Sequence, residues 1–102
     1  MPPTTSDPQL LILVSLAGGP KHGHGMLLDI ERIAGVRLGP GTLYGAISRL
    51  EIAGQIERVA ADGRRRPYRL TDSGRARLAD RLRALRTTIE TGLARIGQEA
   101  IR

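Results

Sequence analysis

Residues 42–70 read TLYGAISRLEIAGQIERVAADGRRRPYRL, and the period of the apolar positions changes once within them. Leu43, Ile47 and Leu50 fall at i, i+4 and i+7, which predicts a helix with one buried face that ends at Gly54. The polar face of that helix carries Thr42, Gly45, Ser48 and Arg49, with Tyr44 beside them. After Gly54 the spacing becomes that of a strand. Gln55-Ile56-Glu57-Arg58-Val59 alternates polar and apolar, and Ala60-Ala61-Asp62-Gly63 supplies a turn. Residues 64–70 then return as a second strand with Tyr68 and Leu70 on one face. Pro67 marks this return as an edge strand, as suits a two-stranded hairpin.

Working outward, Gly39-Pro40-Gly41 breaks the chain just before this helix and places Pro40 where a helix begins. Upstream of the break, a helix from His22 or Gly23 to Ala34 puts Met26, Ile30, Ile33 and Ala34 on one face, with Gly35 as its C-terminal cap. A first helix runs from about Pro8 to Leu16, opened by Asp7 and stopped at Gly18-Gly19-Pro20. Residues 1–6 read as a loose tail.

Downstream of the hairpin, Thr71 is a reasonable N-cap for a helix that continues almost to residue 102. Along it Leu78, Leu82, Leu85, Ile89 and Ile96 follow steps of 4, 3, 4 and 7, with Gly92 in the missing seam position and Leu93 beside it. This 3–4 spacing marks a coiled-coil-like stripe. A helix over 71–99 is about 43 Å long, too long to bury the stripe on the roughly 70 preceding residues. The stripe therefore needs a partner, most simply a second copy of the chain, with the first helix assisting. A frayed tail beyond Gly92 is the alternative for the last few residues. The expected fold is mainly α with a small β-hairpin, divided into a tail (1–6), a helical and hairpin domain (7–70) and a C-terminal helix (71–102).

Composition narrows the function classes. The chain has 102 residues, room for one domain, and a formal net charge of +6, which points toward a polyanionic partner. With no cysteine there can be no disulfide, thiolate metal site or Cys nucleophile. The only aromatics are Tyr44 and Tyr68, too few for a single-strand stacking platform. The apolar run Leu10–Ala17 is far shorter than the roughly 20 residues needed to span a bilayer. Its upstream flank carries Asp7 and no Lys or Arg, unlike a signal peptide, so a cytoplasmic protein without membrane contact is expected.

No phosphate loop, dinucleotide fingerprint or paired carboxylate is present, and Ser15, Ser48 and Ser73 lack a base beside them, so the chain does not read as an enzyme. His22 and His24 are the only histidines, with Asp29, Glu31 or a second subunit as the remaining ligand sources, too few for a metal site. His22 is expected to cap or pack at its helix start and His24 to lie on the surface. No metal or cofactor is expected.

The charge is concentrated. Residues 64–86 hold nine arginines and two aspartates, a net +7, which leaves the other residues at −1. A helical bundle followed by a hairpin with a basic strand describes a winged helix-turn-helix, in which the third helix enters the major groove and the hairpin lies along the backbone. On that reading Arg64, Arg65 and Arg66 contact phosphates or the minor groove, and Ser48 and Arg49 contact base edges or phosphates. The alternatives are a basic module binding RNA or protein without sequence-specific DNA recognition, and a dimeric scaffold whose arginines solvate the long helix.

These residues together resemble the PadR family of bacterial transcriptional regulators. The resemblance runs from Leu11 to Leu78 through Gly19-Pro20, His22-Gly23, Pro40-Gly41-Thr42-Leu43-Tyr44, Arg49-Leu50-Glu51, Gly54, Arg66, Tyr68, Arg69-Leu70-Thr71 and Gly74. It implies a winged-helix homodimer without catalytic activity, a repressor or other regulator acting on a palindromic double-stranded operator. It places Pro40, Gly41, Thr42 and Tyr44 at the DNA-facing opening of the recognition helix, Tyr68 in the wing as a further expected DNA contact, and the dimer contact on one C-terminal helix, where the stripe offers Leu78, Leu82, Leu85, Ile89, Leu93 and Ile96. A small-molecule effector of unknown identity is a further partner that the resemblance allows. The chain departs from the family in having His24 where an aromatic usually follows His-Gly. It also has no Trp or Phe to line an effector cavity.

Overall fold

The computed structural model describes residues 7–60 and 67–101, and side chains as far as Gln98. The element order is α1 (Pro8–Ala17), α2 (Gly23–Ala34), α3 (Pro40–Ile52), β1 (Ile56–Arg58), β2 (Tyr68–Leu70) and α4 (Asp72–Ile101). This is a mainly helical winged fold followed by a long C-terminal helix, as the sequence predicts. The stretch 61–66, with the expected turn and Arg64, Arg65 and Arg66, lies outside the described residues, as does the 1–6 tail.

α1 is the centre of the molecule. It buries Leu10, Leu11, Ile12, Leu13, Ser15 and Leu16, nearly its whole circumference, because α2, α3, α4 and β2 all pack around it. Asp7 caps it, its carboxylate accepting from the amides of Gln9 at 3.0 Å and Leu10 at 3.3 Å. α2 contributes Met26 and Ile30 to the core and ends at Gly35, whose amide donates to the Glu31 carbonyl at 2.9 Å and whose left-handed φ of 67° turns the chain out of the helix. Ile33, expected on the buried face of α2, is instead exposed, while Ala34 beside it in the same last turn packs against the core. α3 buries Leu43, Ala46, Ile47 and Leu50, as its period predicts.

β1 and β2 pair antiparallel with Ile56 opposite Leu70, Glu57 opposite Arg69 and Arg58 opposite Tyr68. The return strand is one edge of a two-stranded sheet, as expected, with one isolated bridge added on its outer side. Tyr68 is also bridged on its other side by Lys21, from the α1–α2 connection, with both backbone bonds formed. Pro67 stands at the end of the pairing, where its missing N–H is not needed, and its carbonyl accepts from Val59 at 2.9 Å.

The hairpin hands over to α4 through Thr71. Its amide donates to the Gln55 carbonyl at 3.1 Å and its hydroxyl donates to the Gly54 carbonyl at 2.6 Å. The same hydroxyl oxygen accepts from the Gly74 amide at 3.0 Å, so Thr71 is the N-cap that the sequence suggests. Gly74 lies so close to β1 that a Cβ there would stand 1.8 Å from the Gln55 carbonyl oxygen.

α4 has 30 residues, about 45 Å of helix. Its first turns pack on the domain and its remainder extends away, giving the molecule a long axis of 63 Å against 28 and 20 Å. Leu78 requires correction as a dimer contact, because it is 4 % exposed and packs in the chain's own core. One turn later Leu82 is 44 % exposed, and Leu85, Ile89, Leu93 and Ile96 are exposed as well. Among the described residues, no helix is long and apolar enough to cross a membrane.

Candidate nucleic-acid interface

Burying Leu43, Ala46, Ile47 and Leu50 leaves the other face of α3 to solvent. Pro40, Gly41, Thr42, Tyr44, Ser48 and Arg49 are all exposed, so the sequence-predicted residues of this helix do share one accessible surface. A shallow groove runs along it, between Gly41, Thr42, Gly45 and Arg49 on one wall and Asp7, Pro8 and Gln9 of α1 on the other.

The helix termini differ in a way that bears on this face. α1 is capped by Asp7 and α4 by Thr71, whereas no side chain caps α2 or α3. His22 stands at the N-cap position of α2 but makes no side-chain cap bond, and both His22 and His24 are exposed, so the expected capping role for His22 is corrected. At α3 the N-cap is Gly39, which has no side chain to offer, and Pro40 follows it. The first turn of α3 therefore presents backbone amides and the Thr42 hydroxyl outward, where the helix dipole favours an anion.

Tyr44 ties the two uncapped helices together. A Cβ on Gly23 would stand 2.4 Å from the Tyr44 hydroxyl oxygen and 2.8 Å from Cζ, so the glycine at the start of α2 makes room for the tip of this ring. Tyr44 still keeps 48 % of its surface exposed.

Tyr68, predicted among the DNA contacts, is 6 % exposed and belongs to the core. Its ring is covered by the guanidinium of Arg58, 5.1 Å from the centroid, and Arg58 stands 4.0 Å from Glu51 at the end of α3. Tyr68 thus anchors the hairpin to the domain, and Arg58 is the basic group displayed above it. Sequence alternation hints at this, since Tyr68 and Leu70 share the apolar face of the strand. On the exposed side, Arg69 pairs with Glu57 at 2.8 Å.

Two carboxylates hold the surrounding frame. The Ser15 hydroxyl donates to Asp29 at 2.7 Å, and this bond, with the Arg32 and Lys21 cations, holds the Asp29 carboxyl below its ordinary value although partial burial works against its charge. At Asp7, partial burial again opposes the charged form. The bond from Arg81, the Leu10 and Gln9 amides and the Arg81 charge outweigh it, so this carboxyl is lowered too. Sequence reasoning passes over Ser15, Lys21, Asp29 and Arg81 as interacting groups. Among the described residues, no cluster of His, Cys, Asp or Glu is arranged to hold a metal ion.

Comparison with known proteins gives a consistent result. Residues 12–80 match the transcriptional regulator PadR-like family. The chain is 42 % identical over 80 residues to "Transcriptional regulator Rv3488" of Mycobacterium tuberculosis, covering 76 % of this chain and 74 % of that one. It is 48 % identical over 71 residues to an uncharacterised 37.1 kDa protein in a Streptomyces fradiae transposon, where 70 % of this chain spans only 21 % of the relative's length. Among solved structures, a PadR family transcription regulator from Clostridium difficile superposes with a TM-score of 0.75 at 23 % identity, covering 84 % of this chain and 94 % of that chain. RosR of Halobacterium salinarum gives a TM-score of 0.68 at 25 % identity, with 89 % and 92 % covered.

Proposed function

This chain belongs to the transcriptional regulator PadR-like family, a family of regulators and not of enzymes, and from that premise we propose that it is a homodimeric, sequence-specific reader of double-stranded DNA that represses transcription. The observation that carries this reading is the α3 surface. Its uncapped first turn and the exposed Thr42, Tyr44, Ser48 and Arg49 lie together on a helix that the core holds from behind.

In this reading the first turn of α3 and the Thr42 and Tyr44 hydroxyls take backbone phosphates, and Ser48 and Arg49 reach base edges or phosphates further along the groove. The Arg49 side chain makes no hydrogen bond or ion pair among the described residues, so its five donors are available to a guanine edge or a phosphate. The arginine run 64–66 is assigned to clamping the DNA backbone. Residues 7–70 form the reading head and residues 71–102 the dimerisation helix. The exposed Leu82, Leu85, Ile89, Leu93 and Ile96 are covered by the same stripe of a second copy, which sets two reading heads on a palindromic operator.

The test is a binding titration against a duplex from upstream of the chain's own gene, beside a scrambled duplex of equal length, at several salt concentrations. Preference for the upstream duplex by about 1,000-fold or more, with log affinity falling by about 0.9 per phosphate neutralised, supports the reading. Equal, steeply salt-dependent binding to both duplexes favours the basic RNA- or protein-binding module instead. Absence of binding by a folded dimer favours a scaffold.

A further inference from the structure

Lys21 is the single lysine among sixteen cationic residues, and it sits in the short connection between α1 and α2. Its backbone is paired to the hairpin in both directions. The Lys21 amide donates to the Tyr68 carbonyl at 3.1 Å, and the Tyr68 amide donates to the Lys21 carbonyl at 2.9 Å. Its ammonium is committed to the helices. It donates to the Ser15 carbonyl at 2.6 Å and to the Gly19 carbonyl at 3.3 Å, and stands 3.9 Å from the Asp29 carboxylate. Asp29 is held in turn by the hydroxyl of Ser15, a residue only 1 % exposed, and by Arg32 at 2.7 Å. One residue therefore joins the C-terminal end of α1, the middle of α2 and strand β2.

The chemistry of the site explains why a lysine stands here in a chain that otherwise uses arginine. The acceptors are the Ser15 carbonyl in the last turn of α1, where the helix dipole is negative, the Gly19 carbonyl in the connection beyond it, and one carboxylate across the gap. A compact ammonium with three donors can face all of them at once, whereas a planar guanidinium fans its donors in a single plane. The ammonium lies close over the turn that ends α1, where a Cβ on Gly18 would stand in ordinary contact, 3.4 Å from Nζ and 3.4 Å from the Ser15 carbonyl oxygen.

Tyr68 is also the point at which the hairpin needs support. A two-stranded hairpin with three paired positions is marginal alone, and Tyr68 is its last paired residue before Pro67 and the arginine run 64–66.

We propose that Lys21 is a positioning residue for DNA binding: by latching β2 to α1 and α2 it fixes where the basic hairpin stands relative to α3, without touching DNA itself. This rests on the reading of the chain as a DNA-binding regulator. The latch also makes a claim about the free protein, so the two can fail separately.

The experiment uses the full chain with Lys21→Met, which keeps the side-chain length and removes the ammonium. Asp29→Asn, which weakens the latch from its other side, serves where the first variant does not fold. Amide hydrogen exchange is measured in the free protein. Binding is measured with a duplex selected from a random pool by the wild type, at several salt concentrations. Exchange at the Lys21 and Tyr68 amides should accelerate by at least about tenfold, while the Ile12 and Leu13 amides of α1 keep their protection. The slope of log affinity against log salt should become shallower by about 0.9 for each phosphate that the hairpin no longer neutralises, up to about 2.7 for the three-arginine run. Unchanged exchange at Tyr68 in a folded variant overturns the latch. Faster exchange with an unchanged salt slope overturns the positioning role. If the wild type selects no duplex, the DNA reading fails, and the exchange data alone decide the latch.

Discussion

Gly74 and Gly92 lie in the same helix, yet a Cβ on the first would meet the Gln55 carbonyl oxygen at 1.8 Å and a Cβ on the second would meet nothing within 4 Å. The leucines repeat the contrast. Leu78 is 4 % exposed and part of the core, while Leu82, one turn further, is 44 % exposed. Between them Arg81 pairs with Asp7, the residue that caps α1, and so ties α4 to the domain at the point where it leaves it. The apolar stripe looks continuous in the sequence but divides in the fold. Leu78 completes the chain's own core, and the rest of the stripe is exposed.

The largest expected effect follows from removing a side chain on the packed side of that boundary. Leu78→Ala should cost about 2–5 kcal/mol in urea unfolding, because it opens a cavity in a small core. Leu82→Asp should change the unfolding of the isolated chain by only about 0.5 kcal/mol while abolishing dimers in sedimentation. If Leu82→Asp stays dimeric, the partner surface lies elsewhere.

Gly74→Ala comes next, at about 1–3 kcal/mol of destabilisation in thermal unfolding, since the new methyl group meets the Gln55 backbone, whose carbonyl is held by the Thr71 amide and cannot yield cheaply. Gly92→Ala should act in the opposite direction, stabilising the helix by up to about 1 kcal/mol with dimer affinity unchanged. A weaker dimer in that variant would place the partner's backbone directly against Gly92 and sharpen the account of the seam.

The smallest effect is a dependence on acid. Asp7 and Asp29 both titrate below the ordinary value of 3.8 in the folded chain. Their stabilisation is therefore complete above that value and disappears as pH falls through the lower, folded-state values. Helical circular dichroism melts should shift little down to about pH 5 and fall progressively below pH 4. Asp7→Asn should remove part of this dependence.

Local signals carry most of the fold. The i, i+4, i+7 spacing of Leu43, Ile47 and Leu50, the breakers at Gly18-Gly19-Pro20 and Gly39-Pro40-Gly41, and the alternation around Ile56 place every helix and the first strand within a residue or two, whereas the return strand expected over 64–70 is paired only over Tyr68–Leu70, with 64–66 outside the described residues. The outward face of α3 follows from the same period. What sequence reading misses depends on single contacts between distant residues. The bridge of Lys21 to Tyr68 joins positions with no periodic relation, and the Ser15–Asp29–Lys21 cluster leaves no spacing signature. Leu78 and Leu82 share one stripe, and only the place where α4 departs from the domain separates their roles. Family likeness assigns Tyr68 to DNA, although its alternation with Arg69 already marks it as inward-facing.

The central claim, that two reading heads are set at a fixed distance by the stripe of α4, is tested most directly by measuring wild-type affinity for a selected palindromic duplex as the spacing between its half-sites is varied. The account predicts a sharp optimum, with half-sites about one helical turn or 34–36 Å apart, and a drop to the affinity of a scrambled duplex when about half a turn of DNA is inserted. Affinity that is indifferent to the spacing would contradict it.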